Sequence, residues 1–407
     1  MKDWWRKVKI LLVAPEYPPY SHGGGGVVSQ VLAQKLAWRG HDVTVIAGCH
    51  EGVLSRNYQW GYEGKVKVVW IPLIRVLEAA YPQIQGSLPP NLKSLLFLKN
   101  IDYDDFDVIH LFAFGHLHID LVNLIAKSSR KILTVHGFPK YVGKEGGAGL
   151  PLKLLYKMYF ETLGRHTLNS AKIVTAVSKF VAKECIKRGV PKEKILVIPN
   201  GIELEKYKPT QYGELEEEFH LEAEDILILS IARVSWQKGL EYALEAIHKV
   251  IKVTDKPIKY MIVGPIEDRN YYLRLIRQAK DLGLKENVIF TGFLGEKKMQ
   301  ALTRANIFLA PSIHESFGLA VLEAMALGKP IIASNCEGLK CIIDHMKTGI
   351  LVRAADSAEI ADAILKLLSD SNLQKRLSKN ALSIVKKYDW ENSLNEYERV
   401  YREISSR

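Results

Sequence analysis

Cysteine is scarce in this 407-residue chain: Cys49, Cys185, Cys336 and Cys341 are scattered, and the last two lack the two-pair spacing of a zinc site. Neither a disulfide scaffold nor a structural metal is expected. Long apolar runs are absent too. No stretch approaches the roughly 18 to 20 apolar residues of a membrane-spanning helix, and the run Ile10 to Ala14 behind the basic opening is too short for a signal-peptide core. The chain is therefore expected in the cytoplasm, free or peripheral on the inner face of the membrane. No low-complexity tract or short-period repeat occurs. The aromatics are not interleaved with a basic stripe, so no nucleic-acid partner is expected. Positive excess is missing from the second half, where 29 Lys and Arg face 30 Asp and Glu. All of the net charge of +11 thus resides in residues 1–200, with 27 basic against 15 acidic side chains. A basic half of this kind suits a phosphorylated substrate or an anionic lipid surface, and equally a solvated lysine-rich face.

What is present is a steady alternation of short apolar runs with helical segments. Val8–Ala14, a helix over Val27–Arg39 closed by Gly40, and Val43–Ala47 form a βαβ unit. Further strands are predicted at 66–71, 108–112, 132–135, 173–176 and 196–198. A second series then starts at 226–232 and continues at 260–263, 288–291, 307–310, 331–333 and 350–352, with helices over 239–253, 271–282 and 358–368. Pro199-Asn200-Gly201-Ile202, followed by the acidic, helix-prone stretch 214–218, supplies the turn signal between the series. The fold class expected is α/β, with two Rossmann-like domains facing a cleft, residues 1–200 and 201–387. A final amphipathic helix carries Leu394, Tyr397, Val400, Tyr401 and Ile404 on one side.

The densest chemistry lies in His314-Glu315-Ser316-Phe317-Gly318-Leu319-Ala320-Val321-Leu322-Glu323. Glu315 follows the apolar strand 307–310 and precedes a helix, so it sits at the carboxyl end of a parallel strand, where the free N–H groups of Phe317 to Leu319 face an anion. Glu315 and Glu323 stand eight residues apart, a rise of about 12 Å along a helix. A carboxylate pair working on one bond needs about 5 Å. These two are spaced to grip separate parts of one long ligand. In Ala232-Arg233-Val234-Ser235-Trp236-Gln237-Lys238-Gly239, after the strand 226–232, Arg233 and Lys238 are placed to converge on a diphosphate without a metal. His136 ends a strand of the first series. The loop Pro15 to Gly26 brings Gly24, Gly25 and Gly26 to a helix N-terminus, suited to phosphate or sugar contact. It does not suit a nicotinamide dinucleotide: the glycines begin eight residues after the strand, Ser29 stands in the third glycine's place, and Gly48-Cys49-His50 rather than an acid ends the second strand.

Together these features resemble the retaining nucleotide-sugar glycosyltransferases of family 4, with the two-domain GT-B fold, over nearly the whole chain. Glu315 and Glu323 fit the E-x7-E motif, Arg233 and Lys238 the phosphate-binding pair, His136 the cleft histidine, Gly24 to Gly26 the glycine loop, and Pro199-Asn200-Gly201 the inter-domain signature. The resemblance implies catalytic roles for Glu315, His136, Arg233 and Lys238. It implies donor binding by Gly24, Gly25, Gly26, Ser316, Phe317, Gly318, Leu319 and Glu323, with Glu315 on the sugar and Glu323 on the ribose. It also implies that residues 388–407 pack back on the first domain. One departure stands out, Glu337-Gly338-Leu339-Lys340-Cys341 where such enzymes typically read Gly-Gly-x-x-Glu. Asp102-Tyr103-Asp104 imitates a metal-binding DxD but reads as solvated turn residues.

The expected reaction moves a hexose from a nucleoside-diphosphate sugar to a hydroxyl of a glycan or lipid-linked acceptor, with no cofactor and no essential metal. A nucleotide-sugar epimerase of the same architecture and a nucleotide-sugar-binding protein without turnover are the alternative readings. The segment Leu150–Thr167, where Leu152, Leu155, Tyr159 and Leu163 alternate with Lys153, Lys157 and Arg165, suggests docking on an anionic membrane or an ordinary domain helix.

Overall fold

A computed structural model describes residues 7–20, 24–50, 58–74, 90–138, 154 and 157–406. The chain divides into two compact units, residues 1–200 with 391–407, and residues 201–390. Each is built on its own sheet.

The first sheet contains β1 (Lys9–Ala14), β2 (Asp42–His50), β3 (Gln59–Glu63), β4 (Val66–Leu73), β5 (Val108–Leu111), β6 (Lys131–Val135), β7 (Ile173–Ala176) and β8 (Ile195–Val197), in the order β3-β4-β2-β1-β5-β6-β7-β8. All pairs are parallel except β3 with β4. The runs read as strands are apolar because both faces of a parallel sheet are covered: β5 and β6 are buried at every position. β3 was not evident from pattern, since its residues are largely exposed and it pairs only as an antiparallel edge.

From Glu391 onward, the helix Trp390–Ser405 belongs to this first unit. Its apolar stripe Leu394, Tyr397, Val400, Tyr401 and Ile404 is buried. The Tyr401 hydroxyl lies 2.7 Å from His110 Nδ1, and His110 Nε2 lies 2.7 Å from the Thr134 hydroxyl. Arg39 donates to Glu398 at 2.8 Å and also pairs with Glu391. His41 accepts from the Val8 N–H on Nδ1, which leaves Nε2 to donate to Glu398 at 3.0 Å.

The second sheet contains β9 (Ile226–Ile231), β10 (Ile258–Val263), β11 (Val288–Gly292), β12 (Ile307–Ala310), β13 (Ile331–Ser334) and β14 (Ile350–Val352), all parallel, in the order β11-β10-β9-β12-β13-β14. This is the doubly wound order that reverses between its first and fourth strands, here β9 and β12. The acidic stretch 214–218 is helical, as its residues suggested. It forms the helix Gly213–Phe219, with Leu215 buried and Glu216 accepting from Arg304 at 2.6 Å. Asp102 caps a short 3-10 turn through the Asp104 N–H, and Tyr103 is buried, so the DxD-like triplet serves the turn.

Candidate active site

The loops after β9 and β12 meet where the strand order of the second unit reverses. The N–H groups of Ile313 and His314 both donate to the Gln237 carbonyl, at 2.9 and 3.2 Å. The Trp236 and His314 rings pack in a T-shaped pair with 5.7 Å between centroids. Gly239 adopts φ +61°, and any Cβ there would collide with the Pro311 carbonyl. Glycine is therefore required for the two loops to touch.

Their meeting brings Lys238 to Glu315, with Nζ 2.7 Å from Oε2. Both side chains are largely buried. The Ser316 N–H donates to Glu315 Oε1 at 3.1 Å. Burial alone would raise the Glu315 carboxyl, but the Lys238 ammonium and the N–H groups of Phe317 and Ser316 outweigh it and hold the group below the usual carboxylate range. Glu315 is thus an ionised carboxylate in a recess shared with Ser230, Ser312 and Gly318. The amides expected to face a ligand are partly occupied by this side chain. Gly318 sits at φ +107° ahead of the helix Leu319–Ala326. Leu319 is thus the first helical residue.

Gly338 was noted in sequence only as part of a departure from a family pattern. It donates its N–H to the Glu315 carbonyl at 3.1 Å, and a Cβ on it would lie 2.6 Å from the Ser316 carbonyl carbon. It therefore sets the backbone from which Glu315 projects.

Arg233 does not join Lys238. It pairs instead with Glu267 and remains half exposed. Glu323 lies on the helix that Gly318 opens, apart from the Glu315–Lys238 pair, and accepts from the Tyr207 hydroxyl and from Lys298 Nζ, both at 2.8 Å. Neither partner was found by sequence reasoning. Burial, then the Glu323 carboxylate, pushes the Tyr207 hydroxyl far up, so it stays a donor.

The other candidates lie in the first unit. Gly24, Gly25 and Gly26 form the first turn of the helix Gly24–Trp38 instead of the loop before Val27, so the helix starts three residues earlier than the pattern suggested. The absence of side chains leaves that turn free of χ1 crowding, and a Cβ on Gly25 would lie 3.5 Å from Glu16 Oε1. His136 follows β6, its ring 4.6 Å from that of Phe112, whose carbonyl accepts from it. Burial drives its pKa down to about 4 against that hydrogen bond.

Burial likewise lowers His118 to about 4 and, with His136 nearby, His110 to about 3. All three imidazoles are neutral in the folded chain at pH 7. Unfolded imidazoles take protons below about pH 6.5, so the unfolded state binds more protons as pH falls toward 4 and stability drops through that window. Asp120 opposes this. Burial raises it to about 6 despite hydrogen bonds from Tyr159, Thr167 and Gly115, so its contribution is complete below the unfolded value and is lost as pH rises through 6. Three groups outweigh one. The thermal midpoint is expected to be lower at pH 5 than at pH 7.5, and Asp120→Asn is expected to steepen the drop; a midpoint that rises on acidification would contradict the three neutral imidazoles.

The two halves of the chain match two family models, "Glycosyltransferase Family 4" over residues 22–206 and "Glycosyl transferases group 1" over residues 213–383. An uncharacterised glycosyltransferase of Methanocaldococcus jannaschii is 26% identical, over 97% of this chain and 98% of its own length. Among solved structures, sucrose-phosphate synthase from Thermosynechococcus elongatus superposes with a TM-score of 0.77 at 21% identity, covering 98% of this chain and 100% of that one. The Anabaena protein HepE in complex with UDP-glucose gives a TM-score of 0.70 at 20% identity, over 98% and 100%.

Proposed function

We propose, on the premise that this chain belongs to the group 1 glycosyl transferases and is a glycosyltransferase of GT-B fold, that its donor is a nucleoside-diphosphate hexose and that transfer to an acceptor hydroxyl retains the anomeric configuration. The observation that carries this reading is the Lys238–Glu315 pair at the amide-rich turn before the helix Leu319–Ala326. A cation and several N–H donors converge there at the carboxyl end of parallel strands, and a carboxylate of the chain itself holds them in the free protein. A diphosphate offers the same donors a more highly charged anion. The UDP-glucose complex of HepE supports a donor of this class for the present chain.

In this reading Lys238 and Arg233 neutralise the departing diphosphate, Arg233 exchanging Glu267 for a phosphate oxygen. The N–H groups of Ser316 to Leu319 contact phosphate or sugar, Gly24 to Gly26 line the approach, and Glu323 binds the ribose hydroxyls. His136 meets a sugar hydroxyl as a neutral imidazole. The anomeric carbon loses its bond to the phosphate oxygen and gains one to the acceptor oxygen on the same face, while the acceptor proton passes to the leaving diphosphate. No carboxylate need form a covalent intermediate. Charge neutralisation of the leaving group is the dominant catalytic contribution.

Incubation with UDP-, GDP- and ADP-hexoses and a panel of hydroxyl acceptors, with the anomer of the product read by NMR, tests this. A product with the donor's configuration is expected. Inversion, or a covalent glycosyl-enzyme trapped on any carboxylate, would overturn the front-face reading; a donor altered without acceptor would favour an epimerase.

A further inference from the structure

Glu323 is held by two segments distant from it in sequence. Tyr207 follows the 3-10 turn Leu204–Lys206, its N–H bonded to the Leu204 carbonyl at 3.1 Å, and Lys298 lies in the first turn of the helix Lys297–Arg304. The two segments run side by side. The Thr210 N–H donates to the Thr303 hydroxyl at 3.3 Å, the Leu215 N–H donates to Gln300 Oε1 at 3.2 Å, and Arg304 donates to Glu216 at 2.6 Å. One frame thus delivers the Tyr207 hydroxyl and the Lys298 ammonium to Glu323, each at 2.8 Å.

Both bonds fall on the same oxygen, Oε1. An ionised carboxylate has about two acceptor sites on each oxygen, so Oε1 is filled and Oε2 is left to a ligand. Two donors arriving from different segments also restrict rotation of the carboxylate more than one donor would. The Tyr207 hydroxyl stays protonated and can only donate toward it. Lys298 stands where a helix least favours a cation, at the positive end of the dipole. Its neighbour Lys297 is offset by Glu218, and Lys298 is offset by Glu323. The Glu323 side chain is 15% exposed, sheltered but within reach of a ligand.

Two other roles fit less well. As a further ligand of the diphosphate, Lys298 would have to abandon Glu323, which stands on the helix beyond the amide-rich turn at 315–318. A tie that only held the fold would need no open oxygen, whereas Oε2 takes no bond among the described residues.

We propose that Tyr207 and Lys298 are positioning residues that fix Glu323 with Oε2 presented to a ribose hydroxyl, and that together they set the preference of this site for ribonucleotides over deoxyribonucleotides. This rests on the reading that Glu323 binds the ribose. It concerns the second unit alone and is separate from the segment 150–167 considered above for a membrane surface, of which residues 150–153, 155 and 156 lie outside the described residues.

Calorimetric titration of the full chain with UDP, GDP and ADP, each beside its 2′-deoxy and 3′-deoxy forms, and with inorganic pyrophosphate, tests it. A ribonucleotide is expected to bind at least about tenfold tighter than one of its deoxy forms, the lower range of a hydrogen bond to a charged group. Tyr207→Phe and Lys298→Met are each expected to cut that preference to below about threefold, and Lys298→Arg to retain it. Pyrophosphate, which has no ribose, is expected to bind all of these variants alike, and their thermal midpoints to match the wild type. No preference in the wild type, or a preference that survives Glu323→Ala, would overturn the ribose reading of Glu323 and this proposal with it. A preference that Glu323→Ala removes and that Tyr207→Phe and Lys298→Met both keep would overturn the positioning role alone. So would a loss of pyrophosphate binding that matches the loss of nucleotide binding, the mark of a collapsed site or of a phosphate contact.

Discussion

Lys238→Ala is expected to lower the turnover of sugar transfer by about two to three orders of magnitude, the range typical of removing one preorganised charge-stabilising donor. Two effects act together. In the proposed reaction the departing diphosphate would lose the cation assigned to it, and Glu315 loses the partner that holds its buried carboxyl ionised. Without Lys238, only the Phe317 and Ser316 N–H groups oppose burial and the Glu315 carboxyl rises, so the residual activity of the variant is expected to climb with pH more steeply than that of the wild type. Arg233→Ala serves as the comparison. Its guanidinium is half exposed and already paired with Glu267, so screening and competition weaken its contribution, and about a tenfold loss is expected. Nucleotide release at saturating donor measures both. A Lys238→Ala enzyme within threefold of wild type would remove the Lys238–Glu315 pair from the chemistry.

Gly338→Ala is expected to reduce donor affinity by about a hundredfold while the second unit stays folded. The added methyl group would overlap the Glu315 carbonyl and the Ser316 backbone, and a backbone cannot rotate away as a side-chain tip can. The 315–318 turn must move, costing on the order of 1–3 kcal/mol of strain and displacing the carboxylate and the amides of the proposed site. Gly213→Ala is the control, because a Cβ there meets nothing within 4 Å. Calorimetric titration with the nucleotide together with circular dichroism separates a displaced site from an unfolded one. Donor affinity unchanged in Gly338→Ala would show that the turn tolerates displacement and that its geometry does not define the site.

Much of this was legible because the relevant signals are local. Parallel strands buried on both faces read as short apolar runs, and β12, β7 and β14 occupy the residues expected of them. Glu315 and Lys238 could each be found because each lies just past the end of such a run. That they form a pair could not be read from sequence, since 77 residues separate them and only the adjacency of β9 and β12 joins them. Tyr207 and Lys298 were missed for the same reason. Tyr207 reaches Glu323 across 116 residues from a segment without periodicity, and Lys298 looks like any surface lysine of an amphipathic helix. Gly338 was visible as a sequence departure, but its steric role depends on a loop contact with Glu315 that no spacing encodes. The edge strand β3 escaped because its alternation is aromatic on an exposed face, opposite to the pattern that marks a core.

The most direct test of the account is calorimetric titration of the purified protein with UDP, GDP, ADP and, as a control, NAD, alongside Glu323→Ala and Lys238→Ala. The account predicts that a nucleoside diphosphate binds, that both variants weaken it, and that NAD does not bind. Binding of NAD alone, of no nucleotide, or of a diphosphate that neither variant affects would contradict the site described around Lys238, Glu315 and Glu323.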